Sequence, residues 1–183
     1  MRVILVGGFR RETSKLFLDI PTKFCYTLTI ENERGINQMT IYFDMDGTIA
    51  NLYGVENWLE YLESADPYPY RAAEPMCDLR QLARTLNKLQ KLGYEIGIVS
   101  WLCKDSTPAY DEAVRRAKRR WLAEHLTSVD WDELHFVKYG TPKQFVVRDR
   151  EGILFDDEAR NREAWWGEAF EPNEIFDVLG TLF

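Results

Sequence analysis

The chain has 183 residues, 45% of them hydrophobic, and a formal net charge of −7. That length and apolar content suit one domain with a proper core and room for a small insertion. The acidic balance gives no general pull on nucleic-acid polymers or membrane surfaces, so a phosphorylated ligand would have to be held locally, by a cation or a few placed basic groups.

No apolar run reaches membrane-spanning length, and residues 1–8 are too short, and too soon followed by Arg10 and Arg11, for a signal peptide. Cys25, Cys77 and Cys103 are widely spaced and form no CxxC pair, which reads as reduced, structural thiols of a cytoplasmic protein. Residues 1–38 are expected as an N-terminal extension, with strands at 2–6 and 24–30. They form either a β-rich edge of the sheet or an upstream segment ahead of a natural start at Met39. Gly7-Gly8 follows the first of these strands, but no GxGxxG continues it and a dinucleotide site is discounted.

The stretch that organises the remainder is residues 40–51, TIYFDMDGTIAN. Its β-branched and aromatic start, halted at once by Asp and Gly, predicts a short buried strand ending in a functional loop. In an open α/β sheet ligands sit beyond the carboxyl ends of the strands, which would aim Asp44 and Asp46 into the ligand crevice. Asp44, fixed by the strand, suits a nucleophile that forms an acyl phosphate. Asp46, leaving on a turn that Gly47 permits, suits a general acid and base beside the leaving group. Thr48 offers a hydroxyl and a backbone N–H to a phosphoryl oxygen. An ordinary Asp-rich strand-end turn accounts for DxDG equally well when it is taken alone.

Residues 50–75 are rich in aromatics and fit a small cap inserted after this motif, with a short helix over 55–62 that the Pro-Tyr-Pro-Tyr run cannot continue. Most of these rings are expected to pack the insertion itself, with Tyr53 and Trp58 placed to stack on a base or sugar. Leucines at helical spacing predict a helix over 76–92, ended by Gly93. A strand over 94–99 follows and delivers Ser100, with Trp101 beside it, to the same edge as Asp44. The next helix is expected over 108–126, opened by Ser106-Thr107-Pro108. Its basic run, Arg115, Arg116, Lys118, Arg119 and Arg120, spreads over much of the circumference and reads as a solvated face. His125 and His135 have no companion at metal-ligand spacing and read as structural.

A third core strand is expected over 134–137, then Lys143 at a short turn, with Lys138 as the alternative phosphate-binding lysine. The fourth strand, 152–155, again ends in paired acids, Asp156 and Asp157, and helices over 161–166 and 174–179 close the chain. If these strands are neighbours in one parallel sheet, Asp44, Asp46, Asp156 and Asp157 converge. Two like charges about 5 Å apart repel by roughly 3 kcal/mol at an effective dielectric of 20. Several such pairs would rival a domain's stability, so a divalent cation or a raised pKa is required. Oxygen-only ligation favours Mg²⁺. Ser100 and Lys143 complete the arrangement, and phosphoryl transfer needs little beyond such positioning.

DMDGT at 44–48, the strand ending in Ser100, Lys143, and FDDEARN at 155–161 together resemble the haloacid dehalogenase superfamily of phosphotransferases, from Thr40 to the C-terminus. The resemblance implies a three-layer, Rossmann-like α/β core with a parallel sheet over 39–183. It also implies an aspartyl-phosphate intermediate on Asp44, Asp46 as acid and base, and Ser100 and Lys143 on the phosphate. Mg²⁺ would be held by Asp44, the Asp46 carbonyl and Asp156, with Asp157 in support. Within the superfamily the chain is similar to the deoxyribonucleotidase-type 5′-nucleotidases. The likeness rests on the compact insertion after DMDGT, the long helix after the second strand, PKQFVV before the last acids, the Asp-Asp pair, and Trp166-Gly167-Glu168-Ala169. It departs in a shorter insertion and in Ser100-Trp101 where that group has Thr-Ser. The implied substrate is a small phosphomonoester, a nucleotide before a sugar phosphate or other metabolite. A catalytically idle phosphate- or nucleotide-binding protein is the alternative from outside the enzymes.

Overall fold

The computed structural model describes residues 39–183. The strands expected at 2–6 and 24–30, the Gly7-Gly8 pair, Cys25 and the upstream segment implied by a start at Met39 lie outside the described residues. Strand β1 (Thr40–Phe43) is buried along its whole length. It leads into the expected insertion, made of the two-residue strand β2 (Ala50–Asn51), a 3-10 turn (Leu52–Gly54), helix α1 (Trp58–Glu63), helix α2 (Tyr68–Ala72) and strand β3 (Glu74–Pro75). β2 and β3 pair antiparallel and close the insertion at its base. α1 ends at Glu63, with Ala65 at φ 57°, before the Pro-Tyr-Pro-Tyr run is reached, and that run opens α2, because a proline in the first turn gives up only an N–H that has no partner there.

Helix α3 (Leu79–Lys91) begins three residues later than its apolar pattern suggests. The Asp78 carboxylate accepts the N–H groups of Arg80 at 2.9 Å and Gln81 at 3.0 Å and so fixes the first turn there. Leu79, Leu82, Leu86 and Leu89 form its buried stripe, each worth about 1.5–3 kcal/mol of transfer free energy. Gly93, at φ 99°, ends it. Strand β4 (Glu95–Trp101) then carries Ser100 and Trp101 within the sheet, two residues further than expected. Helix α4 (Pro108–His125), capped by Thr107, leads to β5 (Glu133–Val137). A 3-10 turn (Lys143–Phe145) precedes β6 (Ile153–Phe155), α5 (Ala159–Ala164), β7 (Ala169–Phe170) and, after a further 3-10 turn, α6 (Ile175–Gly180).

The sheet is wholly parallel in the order β5-β4-β1-β6-β7. β7 has no counterpart in the sequence reading; two residues carry too short a pattern to announce a strand. Ile41 and Phe43 of β1 pair with Ile96 and Ile98 of β4 on one side and with Ile153 and Phe155 of β6 on the other. Together with the buried faces of α3, α4 and α6 they make the main core, around Trp121, whose indole N–H donates to the Ala73 carbonyl at 2.7 Å. Tyr42, Val99, Val147, Leu154 and Trp165 build a smaller core on the opposite face. The chain runs outward from β1 to β4 and β5, then returns to the far side of β1 as β6. That reversal opens a crevice at the carboxyl ends of β1, β4 and β6. No described helix is long and apolar enough to cross a membrane.

Candidate active site

Asp44 follows β1 directly, its backbone N–H bonded to the Phe155 carbonyl of β6 at 2.8 Å, so its position is set by the sheet. Asp156 occupies the matching place after β6. The ammonium of Lys143 lies between them, 2.6 Å from Asp44 Oδ1 and 2.6 Å from Asp156 Oδ2. All three are nearly excluded from solvent. Burial works to lower the Lys143 pKa, but the two carboxylates outweigh it and hold the ammonium charged. Asp156 is further fixed by Asn161, whose side-chain amide donates to both carboxylate oxygens at 3.1 Å, and by the Glu158 N–H at 3.0 Å. Lys138 is exposed at the end of β5, so the two lysines the sequence left in competition occupy different environments.

The chain turns away from Asp44 through Gly47, at φ 79°. A β-carbon at that position would run into the Asp157 carboxylate, so the glycine also lets the two acidic loops close on each other. The Thr48 hydroxyl accepts the Asp157 N–H at 3.2 Å. Thr48, expected on a phosphoryl oxygen, is buried, and its hydroxyl ties the first loop to the second.

Asp46 exposes 15% of its side chain to the crevice and receives the ammonium of Lys118 on Oδ2 at 2.6 Å. Lys118 also donates to Ser100 Oγ at 2.8 Å and to the Trp101 carbonyl at 2.7 Å, and is fully buried. The reading of the α4 basic run as solvated holds for the exposed Arg120, paired with Glu124 at 2.7 Å, and fails for Lys118. The signal was present: Val114, Ala117, Lys118, Trp121 and Leu122 fall at helical spacing on one stripe, and the lysine lies inside it. Ser100, expected at the strand tip, is buried behind Lys118 and bonded to it. Asn161 and Arg162 were likewise given no role. Arg162 donates to the carbonyls of Asp156 and Asp157, both at 2.8 Å, and so shapes the second acidic turn.

Burial raises the Asp46 pKa, Lys118 pulls against that, and Asp44 adds to the rise, for a net upward shift. Asp156 is raised by burial and by Asp44. Asp157, likewise desolvated and facing Asp44 and Asp156, is pushed up to about 7. Among the described residues no three His, Cys, Asp or Glu side chains gather around one metal position. Of the four acids expected at a metal, Asp44 and Asp156 converge on Lys143 and Asp46 meets Lys118. The donor chemistry nonetheless fits Mg²⁺. The crevice offers hard carboxylate oxygens, with Asp157 left without an ammonium, and this ion is held by one or two carboxylates plus phosphate and water.

A cavity of about 500 Å³ opens over these acids. Tyr53, Trp58, Leu59 and Leu62 of the insertion wall one side, and Trp101 and Tyr139 the other. Tyr53 meets Trp58 edge-on at 5.2 Å between ring centres, so both rings pack within the insertion and still face the cavity. Trp101 is held by its indole N–H on the Thr141 carbonyl at 2.8 Å and by the Arg160 guanidinium, 4.4 Å from the ring centre. His125 lies 2.9 Å from the Trp121 carbonyl and His135 lies 2.6 Å from Glu133, both away from the cavity and structural as expected.

No family model and no curated protein sequence matches the chain. Among solved structures, the chain is similar to D,D-heptose 1,7-bisphosphate phosphatase from Burkholderia thailandensis, at 13% identity and a TM-score of 0.42, over 69% of this chain and 71% of that one. That likeness is too remote to bear on function.

Proposed function

We propose that the chain is a magnesium-dependent phosphomonoester hydrolase of the haloacid dehalogenase type, working through an aspartyl phosphate on Asp44. The observation that carries this reading is the buried Asp44–Lys143–Asp156 triplet at the crevice where the strand order turns back across β1. With Oδ1 engaged by Lys143, Asp44 presents Oδ2 as the attacking oxygen. That oxygen forms a bond to phosphorus as the bond from phosphorus to the ester oxygen breaks. Asp46 gives its proton to the departing alkoxide, and the upward shift of its pKa supports its carrying one. The resulting Asp46 carboxylate then takes a proton from the water that attacks phosphorus, which frees inorganic phosphate and restores Asp44. Lys143 keeps its positive charge beside the phosphoryl oxygens throughout. Mg²⁺ held by Asp44, the Asp46 carbonyl and Asp156, with Asp157 in support, would supply further charge neutralisation.

The aromatic and aliphatic walls of the cavity favour a leaving group with a flat ring, and a nucleoside monophosphate is the preferred substrate. Phosphate release from deoxy- and ribonucleoside monophosphates, beside sugar phosphates, tests both levels of the reading. The expected result is nucleotide hydrolysis that is abolished by EDTA and by Asp44→Asn. Hydrolysis confined to sugar phosphates would keep the reaction and overturn the substrate. No release from any ester by a folded, Mg²⁺-binding protein would assign the site to binding alone.

A further inference from the structure

We infer that Lys118 is a positioning residue that holds Asp46 in place for proton transfer by tying its carboxylate to the end of β4. The inference rests on the phosphatase reading above. It starts from a count of donors. An ammonium has three N–H groups and no acceptor, and Lys118 spends all three on Asp46 Oδ2 at 2.6 Å, Ser100 Oγ at 2.8 Å and the Trp101 carbonyl at 2.7 Å. No donor is left for a phosphoryl oxygen, and full burial keeps the group away from substrate. Lys118 therefore differs in kind from Lys143, which grips two carboxylates at the floor of the crevice.

The direction of these bonds fixes what the partners can do. Because the lysine can only donate, Ser100 must accept with a lone pair, and its own hydrogen is not spent on Lys118. Because Oδ2 of Asp46 is occupied, the proton that moves in catalysis is confined to Oδ1. Asp46 otherwise sits on a loop just past a strand, separated from the insertion by a left-handed glycine. A carboxylate free to rotate there would spend part of its time aimed away from the leaving group, and small misplacements of a proton donor are costly. The Tyr70 ring of α2, 5.2 Å from the Lys118 nitrogen, closes this anchor from the insertion side.

The test compares kcat/KM, which reads the steps through formation of the aspartyl phosphate, for an alkyl phosphate and for p-nitrophenyl phosphate. An alkoxide needs a proton to leave, whereas p-nitrophenolate is stable as the anion. Lys118→Met keeps the stem and removes the donors. We expect it to slow the alkyl ester by about 100-fold, the scale of general acid catalysis, and the p-nitrophenyl ester far less. In an Asp46→Asn background the same change should add little, because the two residues act as one unit. Equal losses on both esters, or an undiminished effect in the Asp46→Asn background, would overturn the inference while leaving the phosphatase reading intact. Inactivity of the wild type on both esters and on the nucleoside monophosphates and sugar phosphates would instead overturn that reading, and the inference with it. If Lys118→Met does not fold, Lys118→Gln, which keeps two N–H donors, reads the same split. Collapse of both variants would assign Lys118 to the fold alone.

Discussion

Replacing Lys143 by Met removes the charge between Asp44 and Asp156 and keeps most of the side-chain volume. Each carboxylate oxygen lies 2.6 Å from the ammonium. The two oxygens are therefore no more than about 5 Å apart, and at an effective dielectric of 20 the unmasked repulsion is about 3 kcal/mol. If that energy appears in the transition state, where phosphoryl charge also loses its cation, kcat/KM falls by about 100-fold. Inorganic phosphate should inhibit the variant correspondingly less. Breaking a buried pair of this kind costs about 3–5 kcal/mol of stability in the metal-free protein, and added Mg²⁺ should recover part of it. The assay is steady-state hydrolysis with phosphate as product inhibitor, alongside thermal melts with Mg²⁺ and with EDTA. Lys138→Met is the control and should leave both nearly unchanged, since that side chain is exposed and does not line the cavity over the acids. Full activity in Lys143→Met together with its loss in Lys138→Met would refute the assignment.

Gly47→Ala should destabilise by about 1–2 kcal/mol from the left-handed backbone alone. It should cost more where the new methyl displaces Asp157, and it should lower kcat as Asp46 shifts with the loop. A wild-type urea midpoint and wild-type turnover would contradict this. The raised Asp157 pKa makes a separate prediction for protein in EDTA. The folded state binds this proton more tightly than the unfolded chain does. Its contribution to stability is therefore complete below about pH 4 and lost as pH rises through about 7. With solvent screening of a partly exposed group, the loss should be about 1–2 kcal/mol. Asp157→Asn cannot ionise and should flatten the melting-temperature profile between about pH 4 and 7; an unchanged slope would count against it.

The strands and acids were legible because β1, β4 and β6 are short apolar runs, each followed by polar chemistry. A buried parallel strand has to read that way. Helix α3 was equally plain in its leucines, and only its first turn was misplaced, by a cap whose strength depends on side-chain geometry. Lys118 was missed for the opposite reason. Its type says surface, and only its place within the Val114–Trp121 stripe says interior; a basic run invites the first reading. Thr48 and Ser100 were identified as polar groups near the acids, but which way a hydroxyl faces is settled by neighbours more than fifteen residues away. Between β1 and α3 the expected helix over 55–62 overlaps α1, whereas α2 went unread, since five- and six-residue helices depend on tertiary packing more than on pattern.

The return of β6 to the side of β1 also has a meaning in time. Asp44 is joined to Lys143 across 99 positions, so a growing chain carries the proposed nucleophile long before the groups that complete the crevice exist. The acids of the first loop must remain apart from those of the last until β6 docks. A chain cut short before residue 143 could still form β1, β4 and β5 while lacking every contact that Asp44 needs. Hydrolytic competence would thus arrive in one late step, with the pairing of the first core strand to one of the last.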